Sequence, residues 1–405
     1  MPDADLARHA LICGRSGAGK STLIQNVAIQ LARKGRGFCI VDPHKELIDG
    51  LLDRLPRNRL NDVILFDVED EEYPIGFNPL AHDEPDRHRI VSQLVDLFHN
   101  VWDTGFLDRA QDVFANAVNA LMDIDQATLL WVDQMLTNDR LREWVAGRVS
   151  DPIVRKFWTE NYPEINKNFR QEIVQPVLNK VRRLITSSSF RNIVGQVSNG
   201  FDMVDVVQNN RILLVNVSRA KFGPDKARFF ASLLIEKIFW TSLTHGANDF
   251  TLFIDEAGTI VSPVLKNMYS ESRKFGLSLL SSIQYLRQFD EKVRDAAISN
   301  MKTLICFQLG ATNAEELALE FKPEFTPQDL VNLKPHHIRL KLSVNGVTTR
   351  PFSAVTLPPH ARDGHEGRRE RIIQNSRQRY ARRKTDVEGK INRWLKNLHP
   401  NLYSK

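Results

Sequence analysis

Between Cys13 and Thr22 the chain reads CGRSGAGKST, and Gly14, Gly19, Lys20 and Ser21 fall at the spacing G-x-x-x-x-G-K-[ST]. Each of these residue types has a task in holding a nucleoside triphosphate. Glycines let successive backbone N–H groups turn inward on phosphate oxygens, and the following helix adds the partial positive charge of its N-terminus. Lys20 places a point charge on the β- and γ-phosphates, and the Ser21 hydroxyl reaches Mg2+. The whole loop, Gly14, Arg15, Ser16, Gly17, Ala18, Gly19, Lys20, Ser21 and Thr22, is the candidate binding segment for ATP and Mg2+.

A pair of carboxylates follows much later, in FTLFIDEAG. An apolar strand that ends in Asp255 and Glu256 offers what a phosphate-transfer site needs. Asp255 is the second candidate metal residue beside Ser21, and Glu256 is the candidate that orients and deprotonates an attacking water. An acidic pair after a strand is often only a turn; together with the glycine loop it points to hydrolysis. Small-molecule kinases need no base that activates water, so the pair favours hydrolysis coupled to movement. LSLLSSIQ ends in Gln284, whose amide would touch the γ-phosphate if its strand lies beside the glycine-loop strand. Arg273, in SESRKFG, reads either as an arginine given to a neighbouring subunit or as a surface ion-pair residue.

These groups need a scaffold, and the sequence describes an α/β one. HALIC runs into the glycine loop, and KSTLIQNVAIQLARKG puts Leu23, Ile24, Val27, Ala28 and Leu31 on one helical face. GFCIVD, DVILFD, RILLVNVS, FTLFIDEAG, LSLLSSIQ and TLICFQLG are short, nearly continuous apolar runs, the pattern of a parallel sheet covered on both faces. From residue 83 to about 205 the periodicity becomes 3.6, which predicts an all-α insertion with Trp102, Trp131, Trp144 and Trp158 as aromatic core anchors. IRLKLSVNGVTTRPFSAVTL carries a hairpin signal at Asn345-Gly346. The expected organisation is 1–82 and 206–358 for the two parts of a P-loop ATPase domain with a mostly parallel central sheet, 83–205 for the insertion, and 359–405 for a basic helical tail.

Composition bounds the rest. With 42% apolar and 26% charged residues the chain is of globular type. No window approaches 18 consecutive apolar residues, so no intrinsic membrane segment is expected. Cys13, Cys39 and Cys306 sit in apolar strand-like runs, as small buried hydrophobes in a reducing compartment do. The expected location is therefore cytoplasmic, with recruitment to the inner face of a membrane left open. Of the net charge of +6, residues 362–405 hold 13 Lys and Arg against 5 Asp and Glu, which leaves about −2 for the remainder. That tail reads equally as a polyanion- or partner-docking helix and as a solvated helix with one apolar face, built on Ile372, Ile373, Tyr380, Val387, Ile391 and Trp394.

Taken in order, GRSGAGKST, CIVDPHKELID, YPIGFNPL, FIDEAGTI, SRKFGLSLLSSIQYLRQF and LKLSVNGVTTRPFSAVTLP resemble the TraD/TraG-like conjugative coupling ATPases, within the HerA/FtsK group of DNA-pumping motors. The likeness runs from about residue 8 to 358. It implies a RecA-like core working as a ring, usually a hexamer, with ATP at subunit interfaces and double-stranded DNA in the channel. Carried onto this chain, it makes Lys20 and Ser21 the triphosphate and Mg2+ residues, Asp255 and Glu256 the Walker B pair, Gln284 the sensor and Arg273 the arginine acting in trans. It also implies that the all-α domain or the basic tail meets a protein partner such as a secretion channel, relaxase or nuclease. Where the family more often has Gly after the His of DPHKE, this chain has Lys45, and His44 is read as a structural loop residue. The expectation is an ATP-driven DNA translocase of coupling type; the rivals are an ATPase module that recruits a nuclease or effector, and a secretion ATPase acting on protein.

Overall fold

The computed structural model describes residues 9–82, 87–102, 108–260, 264–344, 347–361 and 367–397. The apolar runs become strands: β1 (Ala10–Cys13), β2 (Phe38–Asp42), β3 (Val63–Asp67), β4 (Ile212–Asn216), β5 (Phe250–Ile254), β6 (Leu277–Ile283), β7 (Thr303–Cys306), β8 (His337–Lys341), β9 (Ser343–Val344), β10 (Val347–Thr348) and β11 (Phe352–Val355). Nine of them form one sheet in the order β11-β8-β7-β1-β6-β5-β2-β4-β3, and β9 pairs with β10 separately. Every pair from β7 to β3 is parallel, while β8 runs antiparallel to β7 and β11 antiparallel to β8. β1 through β5 are buried on both faces apart from the last residue of β3, which is why their sequences are continuous apolar runs rather than alternations. The sheet is thus α/β and mostly parallel, as expected. The hairpin turn Asn345-Gly346 lies outside the described residues.

The helix Lys20–Arg33 follows the glycine loop and buries Ile24, Ala28, Ile29 and Leu31 against Ile12, Phe38, Ile40, Leu214 and Phe253 in one apolar cluster. Phe38 and Phe253 meet edge to face at 5.8 Å.

The chain divides into two compact units. The first contains the sheet and takes in residues up to Asp67, Phe201–Ala220 and Phe230–Ser376; the second comprises Val68–Gly200, Lys221–Phe229 and the residues from Arg377 on. The first cut falls at Asp67, not at residue 82, because the segment after β3 is bonded into the helical unit: Phe77 N donates to Ile193 O, and Gly200 N to Gly76 O.

The helical unit is built from Arg87–Val101, Asp108–Leu121, Leu130–Thr137, Asp139–Ala146, Lys167–Ile185 and Ser188–Val194, with shorter turns between them. Asn138 caps Asp139–Ala146 through Leu141 N, and Asp151 caps the turn that begins at Pro152. Phe98 packs on Phe114 at 4.5 Å, and Trp158 on Tyr162 at 4.8 Å. The described residues of 359–405 are divided between the two units. The helix Arg368–Tyr380 is shared between the units, with Arg369 paired to Asp49 and Asp53 in the first and Arg377 to Asp70 in the second. The helix Lys384–Asn397 lays Val387, Ile391 and Trp394 on Leu130, and Trp394 stacks on Trp131 at 5.2 Å. Among the described residues no helix is long and apolar enough to cross a membrane.

Candidate active site

Parallel strands leave their carboxyl ends at one edge of the sheet, and the order of strands decides which residues meet there. Cys13 of β1 is level with Ile283 of β6, Ser281 of β6 with Ile254 of β5, and Ile254 with Val41 of β2. The residues just beyond these positions are Gly14, Gln284, Asp255 and Asp42, so the register gathers the glycine loop and three side chains from separate stretches of sequence.

The glycine loop is fixed from both sides. Gly14 N donates to Ile283 O at 3.2 Å, and Arg15 N to Gln308 O at 3.0 Å. Gly14 is required by close approach, since a Cβ there would stand 2.6 Å from the Phe307 Cβ. Gly19 holds φ at 110°, a left-handed value that side chains resist. Buried Lys20 donates from Nζ to Gly14 O at 2.7 Å and Arg15 O at 3.0 Å. Burial lowers its pKa below the ordinary lysine range, against the opposing charges of Asp255 and Glu256.

Across the cavity Asp255 accepts from the Ser282 hydroxyl, and burial raises its pKa. Glu256 sits in the left-handed region, φ 48° and ψ 47°. Its Oε1 accepts from Gln284 Nε2 at 2.7 Å, and its Oε2 lies 2.8 Å from His44 Nε2. Burial pushes the Glu256 carboxyl up, but the bonds from His44 and Gln284 and the charge of Lys20 outweigh it, so its pKa lies below the usual value. Behind this pair Asp42 is fully buried and accepts from His44 N at 2.8 Å and Ile48 N at 3.1 Å. Burial raises Asp42 to about 6 despite those bonds, and the charge of Asp255 adds to the rise. Lys45 takes φ 71° at the position where glycine was expected, and its Nζ lies 3.4 Å from Asp67.

A cavity of about 590 Å3 opens between these walls. Its lining includes Ser16, Gly17, Gly19, Lys20, Ser21 and Thr22 from the glycine loop, and Asp255, Glu256 and Gln284 opposite. Gly14 anchors the loop from below, and Arg15 is exposed beside it, as Ala18 is in part. The cavity is also lined by Asp42, His44, Glu46 and Leu47. Of these, Asp42 carried a signal in the sequence, an aspartate closing an apolar strand. Ser282 and Gln288, which accepts from Gln284 N at 2.9 Å, carried none. Arg273 is not brought here. It is exposed in the turn Ser272–Phe275, which enters β6 at the end opposite Gln284.

The donor set fits a magnesium-bound triphosphate. The glycine loop with Lys20 and Ser21 and the carboxylates Asp255 and Glu256 line one cavity, and an added Cβ at Gly17 would meet nothing within 4 Å. No group of three or more His, Cys, Asp or Glu that could hold a metal occurs among the described residues. Mg2+ keeps several waters and takes one or two protein ligands plus substrate phosphates, and Ser21 and Asp255 are the residues that would hold it.

A family model described as the DNA-binding domain of type IV secretion-system coupling proteins matches residues 1–319. No curated protein matches the sequence. Among solved structures, the bacterial conjugative coupling protein TrwBdeltaN70 in its unbound monoclinic form is similar with a TM-score of 0.64 at 16% identity, over 88% of this chain and 86% of that one. TrwB in complex with ADP and Mg2+ gives 0.63 at 17% identity, over 89% and 87%. VirB4 of Thermoanaerobacter pseudethanolicus gives 0.59 at 15% identity, over 87% and 90%. At these identities the likeness is one of fold, a RecA-like core.

Proposed function

Because the chain belongs to the type IV secretion-system coupling-protein DNA-binding family, we propose that it is a Mg2+-dependent ATPase that works as a ring to move or deliver double-stranded DNA. The observation that carries this reading is the convergence of Lys20, Asp255, Glu256 and Gln284 on one cavity. The complex of TrwB with ADP and Mg2+ supports the choice of nucleotide and metal. In this reading Lys20 leaves the loop carbonyls for the β- and γ-phosphates, and Ser21 and Asp255 hold the metal. Bound there, Mg2+ neutralises charge that develops on the phosphates. Glu256, kept ionised, orients the attacking water and accepts its proton, and Gln284 meets the γ-phosphate. Arg273 is exposed in the turn at the end of β6 opposite Gln284 and is assigned to a neighbour's site in the ring. The DNA grip rests on phosphate contacts and is therefore independent of sequence and weakened by salt.

The test is steady-state ATP hydrolysis with and without long double-stranded DNA at low salt, beside Glu256→Gln and Arg273→Ala. We expect stimulation by DNA, loss of hydrolysis in Glu256→Gln, and rescue of Arg273→Ala activity on mixing with a Lys20→Ala chain. Hydrolysis that depends on Glu256 but ignores DNA would overturn the motor and favour a module that recruits a nuclease or other effector.

A further inference from the structure

His44 looks like an ordinary residue of the β2 loop, yet its placement is expensive. The loop is held from beneath by Asp42, fully buried, which takes the N–H groups of both His44 and Ile48. Lys45 is kept at φ 71°, a left-handed value at which a residue with a Cβ is strained. Such strain persists only where the surroundings impose it. The outcome of this construction is that the His44 ring, about half exposed to the cavity, stands 2.8 Å from one oxygen of Glu256. An ionised carboxylate only accepts, so His44 Nε2 is the donor. The other oxygen is taken by Gln284, so both oxygens of the carboxylate are occupied.

We propose that His44 is a positioning residue for Glu256, which pins Oε2 so that only Oε1 becomes available when Gln284 turns to the γ-phosphate. This rests on the reading of Glu256 as the group that activates water. Gln284 follows directly on β6, the strand between β1 and β5, and lines the same cavity as the glycine loop and Glu256, so its amide can serve either. Without triphosphate it holds Oε1 shut. With triphosphate it leaves, and the freed oxygen faces the water while His44 prevents the side chain from swinging. A glutamate with three rotatable bonds loses catalytic geometry easily, and misplacement by about 1 Å can cost on the order of 100-fold in rate.

The experiment compares the full chain with His44→Ala, His44→Gln, Glu256→Gln and the double variant His44→Ala/Glu256→Gln. Two quantities are read: steady-state ATP hydrolysis, and equilibrium binding of a fluorescent ADP analogue with Mg2+. We expect His44→Ala to lower kcat by about 10- to 100-fold while KM and ADP affinity stay within about twofold. His44→Gln, which restores an N–H donor, recovers most of the loss. The double variant is no slower than Glu256→Gln alone, since His44 acts only through that carboxylate. An unchanged kcat in His44→Ala, or a joint fall of kcat and ADP affinity that His44→Gln does not rescue, overturns the inference and leaves the ATPase reading standing. A wild-type chain that hydrolyses no ATP overturns both.

Discussion

Asp42→Asn removes the charge of a buried acid and, with it, one of the two N–H bonds that its oxygens accept from His44 and Ile48, because an amide nitrogen only donates; the lost bond costs the same at every pH, so the charge is read from the pH dependence. Asp42 is fully buried and its pKa is raised from 3.8 to about 6, chiefly by desolvation. Between these values the folded chain keeps a proton that the unfolded chain has released, so stability falls as pH rises through this window. The loss is complete above about pH 7 and amounts to about 3 kcal/mol, at 1.36 kcal/mol for each pH unit. Near pH 4.5 only about 1 kcal/mol of it has been lost. Asn cannot ionise, so relative to wild type the variant gains about 2 kcal/mol between pH 4.5 and pH 8. Urea unfolding of the nucleotide- and Mg2+-free protein at both pH values measures this, with the three buried thiols, all in the sheet unit, as reporters through a dithiodipyridine reagent. Stability differences that run parallel at the two pH values would refute the reasoning.

Two further expectations need only simple assays. Gly14→Ala forces a Cβ to within 2.6 Å of Phe307 unless the loop moves, so we expect ADP affinity to fall by at least about tenfold with a stability loss of about 1–3 kcal/mol; an unchanged binding isotherm would show that the loop is not held against Phe307. Cys13, Cys39 and Cys306 are buried, and burial pushes Cys13 up to about 12, so none should react with a thiol reagent near pH 8 until the fold opens; rapid labelling of the native chain would contradict this packing.

What was legible in the sequence is what local chemistry determines. The glycine loop, the strands that end in Asp42 and Asp255, and the helix after Lys20 are specified by neighbours within a few residues, and the parallel sheet by runs apolar on both faces. The match of the coupling-protein family to residues 1–319 bears out the likeness seen in those motifs. Long-range pairings were not legible. His44 reaches Glu256 across 212 residues, and Ser282 reaches Asp255 only because β6 lies beside β5 in that register. The basic tail shows the same limit. Its charge was plain, but nothing local says that Arg369 and Arg377 meet Asp49, Asp53 and Asp70, or that Val387, Ile391 and Trp394 are packed.

The stacking of Trp394 on Trp131 has an optical consequence. Trp102, Trp131, Trp144, Trp158 and Trp394 all belong to the helical unit, and of the six tryptophans only Trp240 falls in the sheet unit. Intrinsic emission therefore monitors the helical unit almost alone, while the cysteines monitor the other. Indoles 5.2 Å apart couple through their intense far-ultraviolet transitions, so the circular dichroism there is expected to change when the helix Lys384–Asn397 lifts from its seat, leaving the contribution of Trp131 and Trp144, 6.3 Å apart. Departure of that C-terminal helix, on binding a partner or on truncation, can thus be watched without any label.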